Sequence, residues 1–190
     1  MAACTDEVLR HGLPGLTLAK MATAADTSSR MLLYHFSTRD RLVLETLHEA
    51  RRRQQEVFSE LLAPRPGIPY GIVLADAWDR ITAPELRPYL RLFGQLRELP
   101  PDRTPWTEFR ARSITDWLPT IEAGLRGDGH SDAVALATGV IAVLRGLLQD
   151  LDTTADHERT TSGLRAIANL LTAVRPGACA RPRAAPRSRH

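Results

Sequence analysis

The sequence is short of cysteine: Cys4 and Cys179, near opposite ends of 190 residues, are the whole complement. A disulfide framework or a thiolate metal site needs more of them at closer spacing, so two free thiols in a reducing cytosol are expected. Lysine is nearly missing. Lys20 is the one lysine among 25 basic residues, which reads as compositional bias rather than chemistry. No apolar run reaches the ~18 residues of a membrane span. The start, MAACTDEVLRHG, lacks the basic and apolar regions of a signal peptide. A cytoplasmic protein with no membrane partner is expected. Gly-rich phosphate loops, metal-spaced His/Cys/Asp clusters and nucleophile motifs are also missing. Neither an enzyme nor a cofactor is anticipated.

An excess of charge is missing as well, although the pI of about 9.3 suggests otherwise. The last fifteen residues hold Arg181, Arg183, Arg187 and Arg189 and no acid, so removing them takes the net charge from +3 to −1. The basicity belongs to a Pro-, Ala- and Arg-rich tail, 176–190, expected to be disordered. Net charge alone proposes no nucleic-acid partner.

What remains is aliphatic and helical in period. At 43% hydrophobic residues the chain can bury a core, and apolar residues recur at three and four with no strand-like alternation. An all-α fold is expected. A first helix covers residues 2–11 and ends at Gly12-Leu13-Pro14-Gly15. Thr17 caps a short second helix with Leu18, Met21 and Ala22 inward, and Ser28 caps a short third, 29–34. Ser37 or Thr38 caps a long fourth helix to about Leu62, with Ser37 and Asp40 in the form of a capping box. Its inward residues are expected to be Leu42, Leu44, Leu47, Ala50, Val57, Leu61 and Leu62. Further helices are expected at 68–81, 84–99, 105–126, 131–152 and 156–174, with a kink or break at Pro119.

Three short helices with tight turns match helix-turn-helix geometry, in which one helix braces against the backbone and the next presents side chains to base edges. An ordinary helical corner has the same spacing. The third helix, however, has little apolar surface. Leu32 and Phe36 anchor it, leaving Ser28, Ser29, Arg30, Tyr34 and His35 as donors suited to phosphates and bases. A helical interaction module without DNA binding is the alternative reading.

The run from Leu16 to Leu42 resembles the head of the TetR family of bacterial transcriptional regulators. The resemblance lies in Thr17, Met21-Ala22, Ala25-Asp26-Thr27-Ser28, Tyr34-His35-Phe36 and Thr38-Arg39-Asp40 with Leu42. Asp26 and Arg30 stand where the family commonly has Gly, and Leu33 where it has Tyr. The resemblance implies a three-helix head, 1–48, on a helical ligand-binding and dimerisation body, 49–175. It implies that Thr17, Ser28, Tyr34, His35 and Arg39 hold phosphates while Ser29 and Arg30 read bases. It also implies a dimeric regulator, released as a repressor from a palindromic DNA operator by a small-molecule effector whose identity the sequence leaves open.

In the body, residues 131–152 are apolar nearly all round, and 156–174 carry the stripe Leu164, Ile167, Leu170, Leu171 and Val174. Such surface needs covering. A homodimer interface through Val140, Leu144, Leu147, Leu164, Ile167 and Leu171 is expected, with Gly139 and Gly146 permitting close approach. Most aromatics fall between 70 and 117. Tyr70, Trp78, Tyr89, Phe93, Phe109 and Trp117 are candidate pocket-lining residues, although such side chains also fill ordinary cores. His48 and His130 are read as structural or exposed rather than as ligands.

Overall fold

The structure, a computed structural model, describes residues 1–13, 17–98 and 104–173. The expected tail 176–190, Cys179, Val174 and the segment 14–16 lie outside the described residues. Among the described residues ten α-helices follow one another: α1 (Ala2–His11), α2 (Leu18–Ala24), α3 (Ser29–Phe36), α4 (Arg39–Leu62), α5 (Tyr70–Ile81), α6 (Arg87–Gly94), α7 (Thr104–Thr115), α8 (Leu118–Gly127), α9 (Ala133–Thr154) and α10 (His157–Ala173). Short 3-10 turns at Pro84–Leu86 and Gln95–Glu98 flank α6. No strand occurs among the described residues, so the all-α expectation holds.

The helix starts follow from side-chain caps, which satisfy backbone N–H groups that the first turn leaves without a partner. Thr17 accepts from Lys20 N and Ser28 from Met31 N. Thr38 accepts from Arg41 N at 3.1 Å and caps α4. Ser37 does not take part in a capping box. It closes α3 at a φ of 64°, with its backbone N–H donating to Leu33 O, so that N–H is not offered to Asp40. Two further expectations are corrected. Val57 is 40% exposed, and Phe58, one position and about 100° round the helix, faces the core instead. The expected helix 84–99 is divided. Pro88 has no N–H to donate to a preceding turn, so α6 begins afresh with it in the first turn. Pro119 acts likewise at the start of α8, after the break at Asp116 and Trp117.

The core forms two clusters. Val8, Met21, Ala22, Leu32, Leu42, Leu47 and Ala50 form the first, completed by Leu92, Leu96, Trp106 and Phe109 from later in the chain. The second gathers Phe58, Tyr70, Val73, Trp78, Ile121, Leu125, Val140, Leu144 and Leu164 from the long helices. The expected division at 48/49 falls inside α4, which runs unbroken through both clusters. Burial of each large apolar side chain contributes roughly 1.5–3 kcal/mol. In the second cluster α5 and α10 approach closely. A Cβ at Gly71 would lie 2.2 Å from the carbonyl oxygen of Ala168.

Within the first cluster, polar groups tie α1 to α6 and the turn after it. Arg91 Nη2 donates to the carbonyl oxygens of Leu9 (2.9 Å) and Arg10 (2.7 Å), which close α1 and have no helical partner. Gln95 Oε1 accepts from Leu13 N at 2.9 Å, against a Gly12 held at a φ of 73°. The head is thus strapped to α6 and the turn after it.

Candidate functional site

α3 is anchored from one side only. Leu32 is buried and Phe36 half-buried, whereas Arg30, Met31, Leu33, Tyr34 and His35 face solvent. Tyr34 is 77% exposed, with its ring edge-on to His35 at a centroid distance of 5.4 Å. A phenol so exposed gains nothing from the protein core and is free for an external partner. Thr17, Ser28 and Arg39 are exposed too, while Ser29 is half-buried. Six of the seven expected contact residues therefore lie exposed on the surface, and Ser29 is half-buried. Thr17 and Ser28 use their hydroxyl oxygens as helix caps, which leaves each O–H free to donate.

The charge of this surface differs from that of the head as a whole. Between residues 17 and 41, Lys20, Arg30, Arg39 and Arg41 outnumber Asp26 and Asp40. The remaining acids sit on α1 and α4 and are largely paired: Glu7 with Arg10 and His11, Glu49 with Arg52 and Arg53, Asp6 with Arg53. Hydrogen bonds from Arg52 and Arg53 lower the Glu49 pKa to about 2. An open groove between α1 and α2, lined by Asp6, Glu7, Arg10 and Lys20 among others, is of mixed charge and has no Phe, Tyr or Trp in its lining.

The six candidate pocket residues separate into two groups. Tyr70, Trp78 and Trp117 are buried in the second cluster, with Tyr89 half-buried against it. Phe93 and Phe109 belong with the first. Two of the buried ones have structural hydrogen bonds: Tyr70 Oη donates to Leu62 O (3.0 Å) and Trp78 Nε1 to Thr161 Oγ1 (2.8 Å). His130 Nε2 lies 3.1 Å from Leu171 O in the core, and His48 is exposed with its ring edge-on to Phe109.

Between the two groups lies Arg51, a residue that sequence reasoning passed over. It sits midway along α4 and is 6% exposed. Its guanidinium carbon is 4.4 Å from the Trp117 ring centroid and 5.7 Å from that of Phe93. Nη1 donates to Gln54 Oε1 at 2.6 Å. The nearest carboxylate, Asp116, stands 3.9 Å from Nη2, beyond hydrogen-bonding range. Nε and Nη2 are buried and have no hydrogen-bond partner among the described residues. Burial draws the Arg51 pKa down to about 10, with Asp116 opposing the shift. It remains a cation at neutral pH. A buried donor left unpaired costs on the order of 1–3 kcal/mol, and more when charged. The signal was present in the sequence: Leu47, Ala50, Arg51, Gln54 and Phe58 share the buried stripe of α4.

The candidate interface residues divide as well. Val140, Leu144, Leu164 and Leu171 lie in the chain's own core, and Leu147 and Ile167 are half-buried. The solvent-facing side of the same helices carries Val134, Ala135, Thr138, Gly139, Ala142 and Gly146 on α9, and Ala166 and Leu170 on α10. A Cβ at Gly139 or Gly146 would meet nothing within 4 Å. α9 is long and apolar enough to cross a membrane, with a mean hydropathy of 1.6, and only 17% of that window is buried.

The sequence matches no family model and no curated protein. Its fold, in contrast, is shared with solved structures. A transcriptional regulator of Rhodococcus sp. Rha1 superposes with a TM-score of 0.76 at 20% identity, over 90% of this chain and 92% of its own. A proposed transcriptional regulator of Saccharomonospora viridis, in complex with choline, gives 0.73 at 18% identity, over 91% of this chain and 93% of its own. Over about nine-tenths of its length, the chain shares the helical fold of proteins described as transcriptional regulators.

Proposed function

We propose that the chain is a homodimeric, sequence-specific DNA-binding regulator of the TetR type, which releases a palindromic operator when a small molecule binds its body. The observation that carries this reading is the outward face of α3. Its donors Ser28, Arg30, Tyr34 and His35 are exposed, and its apolar anchors are confined to Leu32 and Phe36. In a head of this geometry α3 enters the major groove, and Arg30 is the side chain able to pair bidentately with a guanine. Two heads about one helical turn apart read a roughly palindromic site. The choline complex of the Saccharomonospora neighbour supports a small-molecule ligand for this fold.

The second copy is argued from α9. Its open face is small and apolar, with Gly139 and Gly146 seven apart, so a partner backbone can come close. Arg145 and Gln149 on that face suit a protein partner better than lipid. Gly139→Leu, whose Cβ would meet nothing within 4 Å, is expected to turn the dimer into a folded monomer in sedimentation experiments. Persistence of the dimer would place the interface elsewhere.

DNA selected from random sequence tests the central claim. The wild type should enrich an inverted repeat and lose affinity steeply with salt. Arg30→Ala should relax discrimination at one position of each half-site by ~1–3 kcal/mol. Failure to enrich any sequence would sink the reading. It would favour the alternative, a helical interaction module, for which exposed Met31 and Leu33 on the same face provide apolar contact.

A further inference from the structure

We propose that Arg51 anchors a site for a small organic acid, whose carboxylate pairs with Nε and Nη2 and whose apolar part lies against Phe93 and Trp117. The inference rests on the regulator reading above and specifies the chemical class of the effector. Three observations meet at this residue. First, the two unpartnered nitrogens are neighbours on one edge of the guanidinium, and that edge is the fork that matches a carboxylate with two parallel hydrogen bonds. The other edge is already committed to Gln54. Second, the faces beside the fork are aromatic, which suits an acid with an aromatic or aliphatic body. Third, the cation beside these rings has no carboxylate within hydrogen-bonding range, so a cationic ligand would meet like charge there and an anion its complement.

The position also fits a switch. Arg51 lies on α4, which begins at the end of α3. Phe93 lies on α6 between Arg91 and Gln95, the two residues that strap α1. A carboxylate entering against Arg51 displaces Phe93 or Asp116 from its present place. Displacement of Phe93 moves α6, which holds α1 through Arg91 and Gln95. Ligand and operator then compete through differential affinity for two arrangements of α4 and α6.

The test uses the full chain and three acids, benzoate, phenylacetate and hexanoate, with benzamide, phenylacetamide and hexanamide as neutral counterparts. Binding is followed by calorimetry and by thermal shift. At least one acid is expected to bind saturably, about tenfold or more tighter than its amide. Arg51→Met should fold and lose that preference, because an apolar side chain can replace a buried ion without loss of stability. Arg51→Lys, which keeps the charge and loses the fork, should weaken acid binding about tenfold. Asp116→Asn, which removes the neighbouring negative charge, should tighten it. Any of four results overturns the proposal: no acid binding at millimolar concentration, equal binding of acid and amide, unchanged binding in Arg51→Lys, or weaker binding in Asp116→Asn. Operator binding is measured in parallel. Protein that binds DNA but ignores the acids refutes this inference alone, and protein that binds acid but no DNA refutes the regulator reading alone.

Discussion

One added methyl group at Gly124 should destabilise the protein, although alanine is the better helix former. Gly124 lies inside α8, and a Cβ there would stand 2.2–2.5 Å from three carbons of the Tyr70 ring. Carbon atoms pack favourably at about 3.5–4.0 Å, so the ring must retreat by more than about 1 Å. Tyr70 is 1% exposed, and Tyr70 Oη donates to the Leu62 carbonyl at the end of α4. Forcing a side chain off its place in a packed core costs about 1–3 kcal/mol. Breaking the buried hydrogen bond costs about 1 kcal/mol more. The gain in helix propensity, about 1 kcal/mol, offsets only part. The net expectation for Gly124→Ala is a loss of about 1–3 kcal/mol, or a Tm lower by roughly 2–4 °C per kcal/mol. Urea unfolding followed by circular dichroism measures it, at one fixed protein concentration because any self-association adds to apparent stability. Tyr70→Leu removes the ring, so adding Gly124→Ala to that background should be neutral or stabilising. A stabilising effect of Gly124→Ala in the wild type would refute the reasoning.

Other consequences are open to direct measurement. Arg91→Ala removes two hydrogen bonds to the closing carbonyls of α1. It should change global stability by no more than ~1 kcal/mol, yet speed amide exchange in the last turn of α1 while α5 and α10 stay protected; a uniform change would contradict the strap. Cys4 is 1% exposed and burial raises the pKa of its thiol. In a Cys179→Ser variant it should react with a thiol reagent far more slowly than free cysteine at pH 8, where less of it is thiolate, and at full rate once unfolded. Fast labelling of the native protein would mean that the head opens readily.

The helix inventory was legible because period, caps and prolines act locally. Thr17, Ser28 and Pro119 could be placed without knowledge of the rest of the chain. Ser37 against Thr38 could not, since both offer a hydroxyl and only the backbone angle at Ser37 decides which one caps α4. The outward face of α3 was legible for a similar reason: a helix with two anchors must show its other side. The body was less so. An all-apolar helix such as α9 gives no indication of which side meets its own chain, and Val140 and Leu144 face inward through contacts with residues far along the sequence. Arg51 shows the limit most sharply. In an Arg-Arg-Arg run it reads as part of a solvated face, yet Arg52 and Arg53 take the carboxylates and Arg51 takes the core.

That division of three consecutive arginines bears on how head and body can communicate. Arg52 and Arg53 pair with Glu49, and Arg53 reaches Asp6 on α1. They lock the outer side of α4 to itself and to the head through exposed pairs of little energetic weight. Arg51 faces the opposite way, between the two core clusters, where an unmatched donor is costly. Energy that can shift an equilibrium is found where the present arrangement is imperfect and another can satisfy it. The pairs with Glu49 lie within α4 and hold wherever it moves, and the exposed Arg53–Asp6 pair carries little energetic weight, so together they bias no placement strongly. The buried fork is not satisfied in this one. Of the three residues, it is Arg51 whose change of partner can favour one placement of α4 over another, and α6 carries the consequence to α1 through Arg91 and Gln95.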